Sequence, residues 1–198
     1  MSAKSFISVS RKSIFAPANA AFWLALAGFL LTTEPQAAGP LSHEPLYAGV
    51  RVYYGPGEGF ESIDAQLINS ARHSLDMAAY VLTDRALVAA LERAAERGVK
   101  VRLYLDGEEM ARSGVQSIAH APNVELRRKA PGRDLMHLKS YQLDGRVLRS
   151  GSANFTVSGE AYQDNDLIVI NSPQAAERFR EAFDKLWARA DNQRIDDR

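Results

Sequence analysis

The sequence predicts an α/β fold, a mixed β-sheet flanked by helices on both faces, and two observations carry that reading. Apolar alternation and helical spacing follow one another in the order strand, helix, strand, helix, strand between residues 50 and 105. The tight-turn dipeptide Asp144-Gly145 then joins two neighbouring apolar segments as an antiparallel hairpin. Crossovers build a parallel part and the hairpin an antiparallel part of one sheet.

Residues 50–54 form a strand closed by the turn chemistry of Gly55-Pro56-Gly57. Residues 60–71 carry Phe60, Ile63, Leu67 and Ile68 at the spacing of a half-buried helix. A strand is expected over 74–82. Thr83-Asp84 can then cap a helix over 85–97 that stops at Gly98 and buries Leu87, Leu91 and Ala95. Residues 99–105 set Val99, Val101, Leu103 and Leu105 against Lys100, Arg102 and Tyr104, a strand with one better buried face. A short helix over 108–119, a strand over 124–127, hairpin strands over 137–143 and 146–150, a strand over 167–170 and an amphipathic helix over 174–188 complete the chain.

A chain of 198 residues with 46% hydrophobic content has room for one ordinary domain. Its first forty residues read differently. Lys4, Arg11 and Lys12 precede an apolar run over 20–31, and small residues follow up to Ala38, the order of a secretory signal. That run is shorter than the about twenty residues of a membrane span. The expected division is a signal peptide over 1–38, a short lead over 39–48, a single folded domain over 49–190 and a tail over 191–198. The mature protein would be periplasmic or secreted, with no stable membrane insertion after cleavage; an uncut leader would anchor it to the inner membrane instead.

Basic and acidic residues number 24 each. Removing residues 1–38 leaves 21 basic and 23 acidic side chains, so no global positive field draws in nucleic acid or anionic lipid, and any such attraction is local. There is no cysteine, which excludes disulfides and thiolate metal sites.

The chemistry concentrates in the run His137-Leu138-Lys139-Ser140-Tyr141-Gln142-Leu143-Asp144, followed by Gly151-Ser152-Ala153-Asn154. Strand alternation sends His137, Lys139 and Tyr141 to one face, so an imidazole and an ammonium point the same way. The hairpin returns the chain to bring the Ser152 hydroxyl and the Asn154 amide to the same end. A nucleophile or base, a cation for non-bridging oxygens and neutral donors for developing charge suit phosphoryl chemistry. Singly, each residue is as compatible with an edge strand and an ordinary turn; the full spacing is a long constraint.

At these residues the chain resembles the phospholipase D superfamily, and within it the small single-motif bacterial endonucleases of the Nuc-like branch. Ala79-Tyr80-Val81-Leu82-Thr83 and Arg97-Gly98-Val99-Lys100-Val101 also look like that family's, so the resemblance extends over about residues 50–187. It implies an α-β-α sandwich and a two-step reaction. His137 would attack phosphorus to give a covalent phosphohistidine, a second histidine would protonate the leaving oxygen, and water would then release the phosphate, with no metal or other cofactor. Two motifs are needed and the chain has one, since His43, His73 and His120 lack the accompanying lysine and asparagine. A twofold homodimer placing His137, Lys139 and Asn154 of both copies around one site solves the count.

The family usually carries a glutamate about eleven residues after the motif asparagine, orienting the histidine. Here that position is Asn165, so Asp164, Asn165 and Asp166 are the candidates for the role. Asp144 belongs to the motif, but its place in a tight turn favours a structural part. Arg127, Arg128, Lys129 and Arg133, with Pro131-Gly132, read as a basic loop beside the site, able to hold phosphates flanking the scissile bond or simply to be solvated. Asp106, Glu108 and Glu109 read as a cap and first turn rather than as a metal site. Tyr80 and Tyr141 are candidates for the cleft wall or for packing.

Three functions follow. The leading one is an exported, metal-independent endonuclease hydrolysing DNA, with RNA as a further substrate. The second keeps the mechanism and acts on phospholipid headgroup esters. The third is a weakly catalytic nucleic-acid-binding protein.

Overall fold

The computed structural model describes residues 49–109, 114–132 and 134–194, all within one compact unit. The expected leader over 1–38, the lead to residue 48, His43 and Arg133 lie outside the described residues. No helix among the described residues is long and apolar enough to cross a membrane.

Eight strands form one sheet: β1 (Val50–Tyr54), β2 (Ser74–Ala79), β3 (Lys100–Leu105), β4 (Val124–Arg128), β5 (Lys139–Leu143), β6 (Val147–Gly151), β7 (Asp166–Asn171) and β8 (Gln193–Arg194). Their order is β1-β7-β6-β5-β2-β3-β4-β8. The β2–β3 and β3–β4 pairs are parallel; every other pair is antiparallel. The mixed sheet expected from the sequence is therefore present.

Helices α1 (Phe60–Ser70) and α2 (Arg85–Glu96) cover one face. They bury Leu67, Ile68, Leu87 and Leu91 against Leu75, Met77, Leu103 and Tyr141 in the main core. Asp84 caps α2 by accepting the Ala86 and Leu87 N–H groups, and the chain leaves that helix through Gly98 at φ 91°. Helix α4 (Pro173–Trp187), capped by Ser172, covers the other face and places Phe183 and Trp187 over Ala78 and Tyr104. Beside these aromatics Arg102 bridges Asp76 at 2.6 Å and Asp184 at 2.9 Å.

The β5–β6 connection is the expected hairpin, with Asp144 at φ 53° and Gly145 at φ 64°, the left-handed pair a type I′ turn needs. The strands themselves start and stop where pairing does. Strand β2 ends at Ala79 rather than residue 82, Leu82 making only an isolated bridge to Phe155. Strand β5 begins at Lys139, so His137 and Leu138 lie just before it rather than within it.

The chain departs from expectation at four further places. The helix expected over 108–119 is a turn at 107–109 and a 3-10 turn over Gly114–Ser117 among the described residues, with Asp106 accepting the Glu108 N–H through one carboxylate oxygen and the Met136 N–H through the other. Arg127 and Arg128 belong to β4 rather than to a loop. Gln193–Arg194 pairs with β4, so this part of the expected 191–198 tail belongs to the sheet. A short helix α3 (Val157–Ala161), capped by Thr156, was not read from the sequence.

Candidate active site

Strand β5 starts at the end of the sheet where β6 finishes, and this places the two halves of the motif side by side. His137 is exposed and Lys139 is 6% exposed. Both gather on Tyr80, which follows the end of β2. The His137 ring lies 4.5 Å from the Tyr80 ring centroid, and Lys139 Nζ lies 4.8 Å from the same centroid. Lys139 Nζ also donates to the His137 carbonyl at 2.8 Å. Tyr80 N–H donates to the Leu138 carbonyl at 2.8 Å, tying the segment that carries His137 to the end of β2.

Burial lowers the pKa of Lys139 from its ordinary 10.5 to about 8. The ammonium therefore gives way to the neutral amine as pH rises through about 8. If Lys139 holds non-bridging phosphoryl oxygens, the inhibition constant of inorganic phosphate is expected to rise about tenfold per pH unit above that point. In Lys139→Arg, whose guanidinium stays charged, that rise is expected to vanish. Competition against a chromogenic phosphodiester between pH 7 and 10 measures both.

On the returning strand, Gly151 takes φ 143°, and a Cβ there would stand 2.3 Å from the Asp166 carbonyl oxygen. Glycine is required because β6 and β7 approach too closely for any side chain. Ser152 N–H donates to Asp166 Oδ1 at 3.0 Å, Asp166 N–H donates to Ser152 Oγ at 2.9 Å, and Ser152 Oγ donates to Asn165 Oδ1 at 3.2 Å. Asn154 Oδ1 is buried and accepts no hydrogen bond from the described residues.

The three candidates for orienting the histidine have these surroundings. Asn165 spends Oδ1 on Ser152 and Nδ2 on the Gly159 carbonyl and Gln163 Oε1. Asp166 holds Ser152, and Asp164 is exposed. Asp144 accepts from the backbone N–H groups of Arg72, His73 and Ser74 at 3.0, 2.7 and 2.9 Å, fastening the hairpin to the start of β2. In the basic cluster, Arg127 donates to the Trp187 carbonyl at 2.6 Å with its guanidinium 4.5 Å from the Trp187 ring centroid, and buried Lys129 donates to the Asp134 carbonyl. These two cations serve the packing of α4 and of the segment before His137.

A surface groove is lined by Leu138, the residue after His137, and by Arg178, Glu181, Ala182, Lys185 and Leu186 of α4. Leu135 and Leu138, which flank His137, are 51% and 41% exposed.

Beneath the motif lies a buried polar group that sequence reading did not anticipate. Arg149 is wholly buried, with Nη2 2.6 Å from Asp64 Oδ2 and 3.4 Å from Glu160 Oε1. Tyr141 Oη donates to Asp64 Oδ1 at 2.6 Å. Burial, then the Asp64 charge, pushes the Glu160 carboxyl up to about 9 and keeps it protonated at neutral pH. The signal was present: Asp64 falls in the apolar spacing of Phe60, Ile63, Leu67 and Ile68, and Arg149 alternates with buried Val147.

Comparison with known proteins agrees with this geometry. Residues 65–187 match the family described as cardiolipin synthase, PLD-like domain. The chain is 31% identical to the mitochondrial cardiolipin hydrolase of Danio rerio over 62% of its own length and 54% of that protein's. It is 30% identical to the phospholipase D of Rickettsia felis over 69% of its own length and 68% of that protein's. The chain spans about half the length of the vertebrate cardiolipin hydrolases it matches. Among solved structures, the phospholipase D family member Nuc from Salmonella typhimurium superposes with a TM-score of 0.66 at 28% identity, covering 74% of this chain and 97% of that one. With its single His137-x-Lys139 motif on this sheet, the chain belongs to the phospholipase D superfamily, in its Nuc-like branch.

Proposed function

We propose that the protein is an exported, metal-independent phosphodiesterase, an endonuclease of low sequence preference hydrolysing DNA and RNA through a covalent phosphohistidine on His137. The observation that carries it is the gathering of His137 and Lys139 on Tyr80, with Ser152 and Asn154 on the adjoining strand end. In the first step the neutral His137 imidazole forms a bond to phosphorus, and the bond to the leaving oxygen breaks. A protonated second histidine gives its proton to that oxygen. In the second step water attacks phosphorus and gives one proton to the second histidine, now neutral, as the phosphorus–nitrogen bond breaks and its electron pair returns to His137. Lys139 and the Asn154 amide stabilise the charge that builds on the non-bridging oxygens, and the Ser152 hydroxyl joins them when its proton turns from Asn165.

The second histidine is His137 of another copy in a twofold dimer, so the active site is shared. Nucleic acid is the favoured substrate because this chain spans nearly all of Nuc and because Arg178 and Lys185 line a groove with Leu138, the residue after His137. Removing both cations, as R178A/K185A, is expected to weaken DNA binding and reduce its salt slope by about 2. Turnover of bis-p-nitrophenyl phosphate, too small to reach the groove, is expected to stay unchanged.

A second reading, hydrolysis of phospholipid headgroup esters, is favoured by the exposed Leu135 and Leu138 flanking His137, with Val157 and Tyr162 exposed on and just after α3. One assay separates the readings. Residues 39–198 are incubated with plasmid DNA, RNA, and phosphatidylcholine or cardiolipin vesicles, each with excess chelator. Chelator-resistant cleavage of DNA supports the endonuclease, cleavage of lipid alone the second reading, and DNA binding without turnover a nucleic-acid-binding protein.

A further inference from the structure

Strands β5 and β6 are paired only as far as Tyr141 and Arg149. Beyond that pair, towards the motif, their backbones no longer form a ladder. On the face towards α4 the Ser140 and Ser150 hydroxyls bond at 3.0 Å. On the opposite face the opening is filled by the Arg149 guanidinium. Its Nη1 donates to the Lys139 carbonyl at 2.9 Å and to the Ala153 carbonyl at 3.4 Å. The first carbonyl belongs to the residue carrying the motif ammonium; the second lies between Ser152 and Asn154.

The other side of the guanidinium is fixed with equal care. Nε and Nη2 form a two-pronged contact with Asp64 of α1, at 3.0 and 2.6 Å. The Phe155 ring lies 4.5 Å from its central carbon, and Arg149 and Asp64 are both fully buried. A planar cation held this way has no freedom to rotate. A lysine ammonium could not meet Asp64 with two parallel donors and still reach both carbonyls.

We infer that Arg149 is a positioning residue of the active site, a clamp that ties the Lys139 and Ala153 backbones together and sets the distance between the two halves of the motif, with Asp64 as its fixed anchor. This rests on the reading of His137, Lys139 and Asn154 as the reacting centre. It goes beyond that reading by assigning the geometry to a buried residue outside the motif. A charged pair costs desolvation that an apolar core of equal volume would not. Its directional bonds to two strand ends are what an apolar core cannot supply.

The test uses the full-length protein and two variants. In D64L/Y141F/R149M the buried network becomes apolar except for Glu160, which burial keeps protonated; in R149K one charge and its Asp64 partner remain. Folding is checked by circular dichroism and urea unfolding. Two readouts follow: kcat and KM for bis-p-nitrophenyl phosphate, and the titration of Lys139 followed by carbon-detected NMR of its side chain. The clamp predicts that folded D64L/Y141F/R149M loses at least tenfold in kcat with KM within twofold, and that its Lys139 titration midpoint moves by half a pH unit or more. R149K is expected to fall between it and the wild type. Wild-type kcat and an unmoved Lys139 titration in either folded variant would overturn the clamp. A wild-type protein that turns over no phosphodiester, with a Lys139 midpoint that still moves in the variants, would overturn the phosphodiesterase reading and leave the clamp standing.

Discussion

His137→Ala is expected to lower phosphodiester cleavage by about four to six orders of magnitude, to the level of the uncatalysed background, because it removes the nucleophile from both halves of a shared site. The fold should not notice. His137 is exposed and its recorded ring contact is with Tyr80, so the change in stability is expected within about 0.5 kcal/mol of zero. Initial rates with bis-p-nitrophenyl phosphate and with supercoiled plasmid, read beside a urea unfolding curve, check both halves of this expectation. A stable H137A variant with substantial residual cleavage would place the nucleophile elsewhere.

The second large effect is on stability. Asp64→Ala strands the Arg149 guanidinium and the Tyr141 hydroxyl, both wholly buried, without their shared acceptor. Breaking one side of a buried pair in this way costs about 3–5 kcal/mol. Against a total stability of about 5–15 kcal/mol, such a loss brings the unfolding midpoint sharply down. Replacing Asp64, Tyr141 and Arg149 together with apolar residues, as in D64L/Y141F/R149M, is expected to recover most of the loss, since the remaining Glu160 carboxyl is held protonated by burial and no uncompensated charge is left. Urea midpoints of the two variants measure the difference, and equal midpoints would mean that the ion pair is not what holds this part of the core.

Charge pairing of this kind explains why the sequence is legible in some places and closed in others. The motif from His137 to Asn154 could be read because its constraint is local: a strand start, a two-residue turn and a strand end fix the spacing. The same holds for α2 and α4, whose capping residues and apolar faces lie within one segment. Asp64 and Arg149 are far apart along the chain, and each alone looks like an ordinary surface charge misplaced on a buried face. Only the sheet brings them together.

Partners distant in sequence also misdirect the reading of charge clusters. Arg127, Arg128 and Lys129 next to Pro131-Gly132 look like a solvated basic loop, yet the Trp187 ring and carbonyl claim Arg127, and the Asp134 carbonyl claims Lys129. The cations of the groove that Leu138 lines come instead from α4, about forty residues later in the chain. Likewise, Asp106, which reads as a cap for the next segment, also accepts the Met136 N–H and so joins the end of β3 to the segment that leads to His137. Asn165 stands where the family carries a glutamate, and its side chain is committed to Ser152, Gly159 and Gln163.

The most direct measurement is capture of the covalent intermediate. Rapid acid-free quenching of the reaction with bis-p-nitrophenyl phosphate, followed by peptide mapping by mass spectrometry, is expected to find a nitrophenyl phosphate adduct on the peptide containing His137. Its amount is expected to be one per two chains, matched by a burst of p-nitrophenolate of the same size and unaffected by chelator. Steady turnover with no burst and no adduct on His137, or turnover abolished by chelator, would contradict the account.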